Sequence, residues 1–278
     1  MLPIESVWAV HAPAFSNLIE SIRLGIVAGI DFELRDAAAG GAPTYQKANG
    51  VAVIPIRGVM NRYFDWGSWM VSTARLTREV QAAHADKSVH AIVLQIDSPG
   101  GSVSGLPELG DAVRAAAQDK PVTAQVEGMA ASAAYYTAAN ASRIVGGRTD
   151  MVGSIGTRIM LYDFSAMFEK QGIKAIPVDT GKFKSAGAMG TEITDEQKAD
   201  FQRIVDAFQS DFRQVVSNGR QMNTAQLDAV ADGRVWQVSE GIDLGLVDGV
   251  STLSETINSQ RRVGFSAATA RAQLETLG

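Results

Sequence analysis

Two kinds of hydrophobic pattern follow one another along this chain and predict alternating strands and helices. A continuous apolar run, of the kind that a parallel sheet buries on both faces, predicts a strand at 91–96. A β-branched run predicts another strand at 51–56, and the next strand is predicted at 121–126. Helices are predicted to follow these strands at 76–85, 106–117 and 132–140. The alternation predicts an α/β fold with a mostly parallel sheet flanked by helices.

The second half of the chain continues this pattern. Residues 144–145 and Ile173–Val178 predict strands, with a helix between them around 163–170. The clearest helix begins at Thr194, which is predicted to form a capping box with Gln197. Its apolar stripe indicates packing in the core or between subunits and consists of Phe201, Ile204, Val205, Phe208, Phe212, Val215 and Val216.

Shifts in composition divide the chain into three predicted parts. Residues 1–48 form an N-terminal helical arm, with helix predicted over 1–34 and a small-residue linker at 37–43. Residues 49–250 carry the strands and helices of the body. The polar, alanine-rich tail at 251–278 is interpreted as either a docking helix or a loose terminus.

The composition is that of an ordinary globular protein and excludes several functions. The 278 residues carry a net charge of -5, which argues against a nucleic-acid partner because phosphate binding requires clustered Lys and Arg. The chain has no cysteine, so disulfides, thiol catalysis and cysteine-bound zinc are excluded. The N-terminus lacks the basic region of a signal peptide, and the apolar run at 24–30 is too short to span a bilayer. A cytoplasmic protein without a membrane anchor is therefore predicted.

One serine lies where a nucleophile could meet a substrate. Ser132 directly follows a predicted strand and has only small neighbours at 130–134. In α/β sheets, ligand sites gather beyond the carboxyl ends of the strands. Ser132 would attack only after a base has removed its proton. The competing interpretation is an N-cap residue at the start of a helix.

Other candidate groups follow neighbouring elements. Gly100 and Gly101 could present a backbone N–H to an oxyanion, or they form an ordinary turn. The three histidines are poorly placed as bases, so a lysine made neutral by burial is expected, and Lys182 and Lys184 are both candidates. Ser154 could hold that lysine in place. The chain shows no metal-ligand spacing and no complete P-loop motif, so no metal and no cofactor are expected.

Several segments resemble the signal peptide peptidase A family, whose members are serine peptidases with a Ser-Lys dyad on a ClpP/crotonase-like fold. The resemblance covers roughly residues 51–250, includes all the candidates above and implies that fold here. In chain order the matching segments are 97–101, 128–136, 153–156, 180–184, 232–236 and 241–248.

The resemblance implies a catalytic role for three side chains. It makes Ser132 the nucleophile, and it places the base at Lys184 rather than Lys182, because the family's segment ends in its catalytic lysine. Ser154 corresponds to the serine that contacts this lysine.

The resemblance also implies an oxyanion hole built from backbone N–H groups of Gly100, Gly101 and Ala133. Family members often carry Gly-Gly after the serine, where this chain has Ala133-Ala134. Alanine retains the N–H group, but the two methyl groups would narrow the cleft.

The opening at 8–15, together with the lack of an apolar anchor, resembles the phage branch of the family, the head maturation or capsid assembly proteases. This branch implies scaffold, portal or coat proteins as substrates, a homo-oligomer, and a location in the host cytoplasm or inside assembling proheads. Two alternatives stay open. One is a crotonase-like acyl-CoA hydratase or lyase, and the other is a scaffold-binding assembly protein whose peptidase site has decayed.

Overall fold

The computed structural model describes residues 8–10, 35–36, 45–65 and 69–262. The strands are β1 (Trp8–Val10), β2 (Arg35–Asp36), β3 (Gln46–Ala48), β4 (Val51–Arg57), β5 (Val59–Asn61), β6 (Phe64–Asp65), β7 (Met70–Ser72), β8 (Ala91–Ser98), β9 (Gly100–Ser102), β10 (Val122–Ala131), β11 (Arg143–Gly146), β12 (Met151–Gly153), β13 (Val235–Gln237) and β14 (Gly249–Val250). The helices are α1 (Thr73–Ala85), α2 (Leu106–Asp119), α3 (Ala133–Ala139), α4 (Ser165–Lys170), α5 (Asp195–Arg220), α6 (Thr224–Val230), α7 (Val238–Asp243) and α8 (253–262).

An eight-stranded sheet forms the centre of the protein. Its path runs β13-β12-β10-β8-β4-β3, and β11, which also pairs with β10, carries β14. The pairs among β4, β8, β10, β11, β12 and β14 are all parallel, and only the edge strands β3 and β13 are antiparallel. The predicted α/β class with a mostly parallel sheet is confirmed.

A smaller sheet lies beside the central one. Its strand order is β1-β9-β5-β7, with β9 parallel to β5 and antiparallel to β1. Strand β9 begins immediately after the turn that ends β8. The short strands β2 and β6 form a separate antiparallel pair.

Helices cover both faces of the central sheet. On one face, apolar residues of α1, α2 and α3 join those of β4, β8 and β10 in the main core, with Leu76 and Leu109 wholly buried. On the other face, a smaller cluster that includes Val51 and Val93 packs against Leu253 and Ile257 of α8. The continuous apolar strand predicted at 91–96 is buried on both faces for this reason. Among the described residues, none of the helices is long and apolar enough to cross a membrane.

Helix α5 begins with the predicted capping box, since Thr194 and Gln197 each bond the other's backbone N–H. Only the second half of its apolar stripe is core. Phe212 is buried and meets the ring of Tyr136 edge-on at 5.5 Å, whereas Phe208, in the middle of the stripe, is exposed. Close packing continues to Gly219, where a Cβ atom would lie 1.8 Å from the carbonyl oxygen of Ala139.

Two predicted elements are wrong. Residues 173–178 form no strand, and Ile176 and Val178 are 73% and 95% exposed, because no neighbouring strand pairs with this segment. The predicted helix over 1–34 is wrong at Trp8–Val10, which forms β1 through pairing with a distant strand. The rest of 1–34 and the linker at 37–43 lie outside the described residues.

The predicted tail at 251–278 begins with helix α8, which docks on the core and so fits the docking-helix interpretation. Residues 263–278 lie outside the described part of the chain. The boundaries of the three predicted parts, at 48 and 250, stay predictions.

An ion pair joins the end of α5 to the sheet, and we expect it to make the stability of the fold depend on pH. The guanidinium of Arg220, only 8% exposed, donates to both oxygens of Asp248 at 2.6 and 3.0 Å, and the backbone N–H of Ile144 donates to the same carboxylate at 2.7 Å. Burial opposes ionisation, but these hydrogen bonds outweigh it and hold the pKa of Asp248 below its usual value. The stabilisation is therefore present above the ordinary carboxyl pKa of about 4 and is lost as the pH falls through the lowered one.

The substitution Asp248→Asn tests this account. At neutral pH we expect the free energy of unfolding in urea to fall by about 1–2 kcal/mol, because the Arg220 guanidinium loses a charged acceptor and one of the two accepting oxygens at a partly exposed site. The gap between wild type and variant should begin to narrow below about pH 4, where Asp248 of the unfolded chain takes up a proton, and should close only below the lowered pKa of the folded state. Asp243→Asn, at an exposed position of α7, is the control. A gap that stays constant down to acid pH would contradict the account.

Candidate active site

Ser132 forms the sharp junction between β10 and α3. Its backbone has φ 55° and ψ -119°, a conformation that L residues rarely adopt. The backbone N–H of Ser132 donates to the carbonyl of Gly153 at 2.7 Å, which holds the turn. A serine on a strained turn between a strand and a helix is the geometry of a nucleophile elbow, and strain of this kind is concentrated at functional sites.

The capping interpretation of Ser132 does not fit this geometry. Ser132 occupies the N-cap position of α3, yet its side chain makes no capping hydrogen bond. The hydroxyl donates instead to the carbonyl oxygen of Gly156, at a long 3.4 Å. The side chain therefore does not satisfy the helix, and a stronger partner could capture its proton.

Ser154 lies beside this elbow because the two strands are neighbours. Strands β10 and β12 run parallel, with Ala131 opposite Gly153, so both serines follow the carboxyl ends of adjacent strands. Ser154 is nearly buried and also has a positive φ, of 51°. Its N–H donates to the carbonyl of Arg234 at 2.6 Å, which fixes the second turn.

The glycine turn lies at the same edge of the sheet. Strand β8 pairs with β10 so that Ser98 is opposite Ala130, and β9 lies against α3. Gly100 has a φ of 93°, and its N–H donates to the Ser98 hydroxyl at 3.2 Å. At Gly101 a Cβ atom would lie 1.8 Å from the carbonyl oxygen of Met60, so only glycine allows β9 to approach β5 this closely.

Ala133 carries the remaining backbone N–H group that is predicted for the oxyanion hole. It is wholly buried and is the first residue of α3. Backbone N–H groups in the first turn of a helix have no intrahelical acceptor and carry the positive end of the helix dipole. The sheet thus brings Ser132, Ala133, Ser154 and the glycine turn to one edge.

The site residues predicted from the sequence do not include Asp97, which fixes the end of β10 just before Ser132. Strand β10 changes register between Val126 and Ala130, and the Asp97 carboxylate accepts the backbone N–H of Met129 there. Gly128 has a φ of 104°, which L side chains rarely adopt, and a Cβ atom there would also lie 2.7 Å from Asp97 Oδ1, so this irregularity favours glycine. Partial burial raises the pKa of Asp97, against the opposing effect of Arg57. The pairing of Asp97 with a glycine 31 positions later is visible only once β8 and β10 are aligned.

The structure does not bring the predicted base to the elbow. Lys184 lies in a turn segment, is exposed, and makes no hydrogen bond to Ser132 among the described residues. Lys182 is exposed as well, forms an ion pair with Glu196, and lies over the ring of Phe183. Neither lysine has the burial that a neutral amine base requires.

Within the described ranges, no three His, Asp or Glu side chains are grouped so that they could hold a metal ion. The arrangement at the sheet edge consists of a hydroxyl, a second serine and backbone N–H groups. These groups suit attack on a carbonyl and stabilisation of the oxyanion that forms.

A serine on a strand-to-helix elbow, beside a glycine turn in an α/β fold, is the kind of site found in serine hydrolases. The chain belongs to Peptidase family S49, whose sequence model matches residues 114–263. This range contains Ser132, Ser154 and Lys184, and it confirms the family identified from the sequence.

Three curated proteins are similar to the chain. Putative protease MJ0651 of Methanocaldococcus jannaschii is 33% identical over 62% of this chain and 55% of its own length. Capsid assembly protease C of Escherichia phage lambda is 30% identical over 79% of this chain and 51% of its own. Head-tail preconnector protein GP5 of Enterobacteria phage P21 is 29% identical over 85% of this chain and 50% of its own. The chain thus spans about half the length of these relatives.

Proposed function

We propose that the protein is a serine endopeptidase in which Ser132 is the nucleophile. The observation that carries the proposal is the backbone of Ser132, held at φ 55° and ψ -119° with its side chain unused as a cap. Strain of this kind costs on the order of 1–3 kcal/mol, and the turn gains no capping bond in return. A hydroxyl aimed at a substrate carbonyl explains both features. Ser132 is wholly buried in this structure, so the proposal requires the residues that cover it to move aside when a substrate binds.

In the proposed reaction, Lys184 takes the hydroxyl proton as Ser132 Oγ bonds to the carbonyl carbon of a peptide. The carbonyl electron pair moves onto oxygen, where N–H groups of Ala133 and of Gly101 or Gly100 stabilise the negative charge. When the C–N bond breaks, protonated Lys184 gives its proton to the leaving amine. Water then hydrolyses the ester at Ser132, with Lys184 again as base. Ser154 orients the lysine.

This reaction requires the segment 173–184 to move toward the elbow. Two features support such a rearrangement. Ile173, Ile176 and Val178 are strongly exposed, and large apolar side chains grouped in one segment mark a surface that another chain covers. The hydroxyl of Ser132 has only a weak bond to release, and catalytic geometry often tightens only when substrate binds. Binding of a substrate or of a second copy would bury Lys184 and complete the site.

We further propose a role in bacteriophage head maturation, with scaffold, portal or coat protein as substrate. The similarity to Capsid assembly protease C of phage lambda supports this role. A homo-oligomer in the host cytoplasm or within the assembling prohead fits the same proposal. The first half of the α5 stripe, where Phe208 is exposed and the other apolar residues are half-buried, is one candidate contact surface.

Co-expression with candidate head proteins tests this role. We expect wild-type chain to shorten one of them, and Ser132→Ala and Lys184→Ala each to leave it intact, as seen by intact-protein mass spectrometry. Cleavage that persists in both variants would exclude the dyad. Binding of a head protein without cleavage by wild-type chain would instead indicate a decayed peptidase. Turnover of acyl-CoA that survives Ser132→Ala would indicate the crotonase-like alternative.

A further inference from the structure

The outer edge of β9 is occupied by the chain's own N-terminal segment. Strand β9 has two edges, and β5 holds one of them through the pair Met60 and Gly101. Strand β1 holds the other edge, with Trp8 opposite Ser102, Ala9 opposite Gly101 and Val10 opposite Gly100. Residues 8–10 therefore pair with the two glycines that are proposed to bind the oxyanion.

This edge is also the one that an extended peptide would need. A strand added to a sheet edge is recognised through main-chain hydrogen bonds, largely independently of its sequence. To place a carbonyl between Ser132 and the glycine turn, a peptide must run beside β9, because Ser98 lies opposite Ala130 and β9 lies against α3. The inner edge is closed, since β9 is in tight contact with β5 at Gly101.

We propose that residues 8–10 compete with the substrate backbone for the outer edge of β9 and must leave it before a polypeptide can bind productively. This inference rests on the proposed function, because it assigns the same edge to substrate. The competing strand is short, and three paired residues at an edge open at low free energy. Because substrate binds only when the edge is free, the apparent association constant is the intrinsic one multiplied by the fraction of molecules in which β1 is undocked.

Proline substitutions in the full-length chain test the competition. Antiparallel hydrogen bonds alternate, so the N–H of either Ala9 or Val10 faces β9. Ala9→Pro and Val10→Pro are made separately, and Ala9→Val, which keeps the N–H group and favours a strand, is the matched control. All are placed in a Ser132→Ala background, and binding of fluorescein-labelled casein, an unstructured polypeptide, is measured by anisotropy.

We expect at least one proline variant to bind casein about tenfold more tightly than the Ala9→Val control. This is the gain when the state with β1 docked, populated in most molecules, is removed. In the absence of casein, the same variant should show faster amide hydrogen exchange over 100–102. Casein should restore the protection. Hydrogen exchange reports whether β1 has left β9, and anisotropy reports whether casein then binds more tightly.

Three results would overturn the inference. They are unchanged exchange at 100–102 in both proline variants, faster exchange with unchanged casein affinity, or no casein binding by any variant. The proposed function is tested separately in the wild-type Ser132 background, by covalent labelling of the hydroxyl. A chain that binds casein more tightly after Ala9→Pro but never labels at Ser132 would support the competing strand and contradict the peptidase.

Discussion

Replacing Ser132 by alanine is expected to reduce peptide hydrolysis by at least about a thousandfold, because no other group replaces an absent nucleophile. The measurement is kcat/KM on a casein substrate. Ser239→Ala, at an exposed position of α7, should retain activity within about twofold, because it removes an exposed hydroxyl that belongs to neither the elbow nor the glycine turn. Hydrolysis by Ser132→Ala at the wild-type rate would show that the elbow is not catalytic.

The companion variant Ser132→Gly separates function from structure. Glycine adopts positive φ without steric cost, so it should relieve the strain at φ 55° while removing the hydroxyl. We expect an inactive protein whose free energy of unfolding is higher than that of Ser132→Ala by about 1 kcal/mol. A Ser132→Gly protein that is no more stable than Ser132→Ala would contradict the backbone strain inferred at this turn.

Replacing Lys184 by alanine is expected to lower kcat/KM by at least about a hundredfold, since a general base contributes rate in that range. Lys184→Arg should be as inactive, because a guanidinium does not give up its proton at accessible pH. Lys182→Ala is the matched control two positions away. Its exposed ion pair with Glu196 contributes little, so its activity should stay within about twofold of wild type. Equal losses at both lysines would remove the distinction between them.

The sequence predicts the central sheet well, because burial on both faces leaves a pattern that needs no knowledge of the fold. Strands β4, β8 and β10 lie where the sequence predicted strands, and the capping box of α5 forms as expected. The edge that gathers Ser132, Ser154 and the glycine turn follows from the parallel order of β8, β10 and β12.

Features that depend on distant partners could not be predicted. Strand β1 exists through its pairing with β9, about 90 positions along the chain, and three residues carry no periodic pattern. The segment Ile173–Val178 has the composition of a strand but lacks a neighbour, so it stays unpaired. The strain at Ser132 is likewise set by the turn between β10 and α3, whereas its small neighbours alone fit an ordinary helix start.

Covalent labelling measures most directly whether Lys184 activates Ser132. A fluorophosphonate probe bonds through phosphorus to a nucleophilic serine oxygen and releases fluoride, and peptide mass spectrometry identifies the labelled residue. Wild-type chain and Lys182→Ala should carry the adduct at Ser132, and Lys184→Ala should label far more slowly. Labelling of Ser132 at an undiminished rate in Lys184→Ala, or none in the wild-type chain, would contradict the proposed dyad.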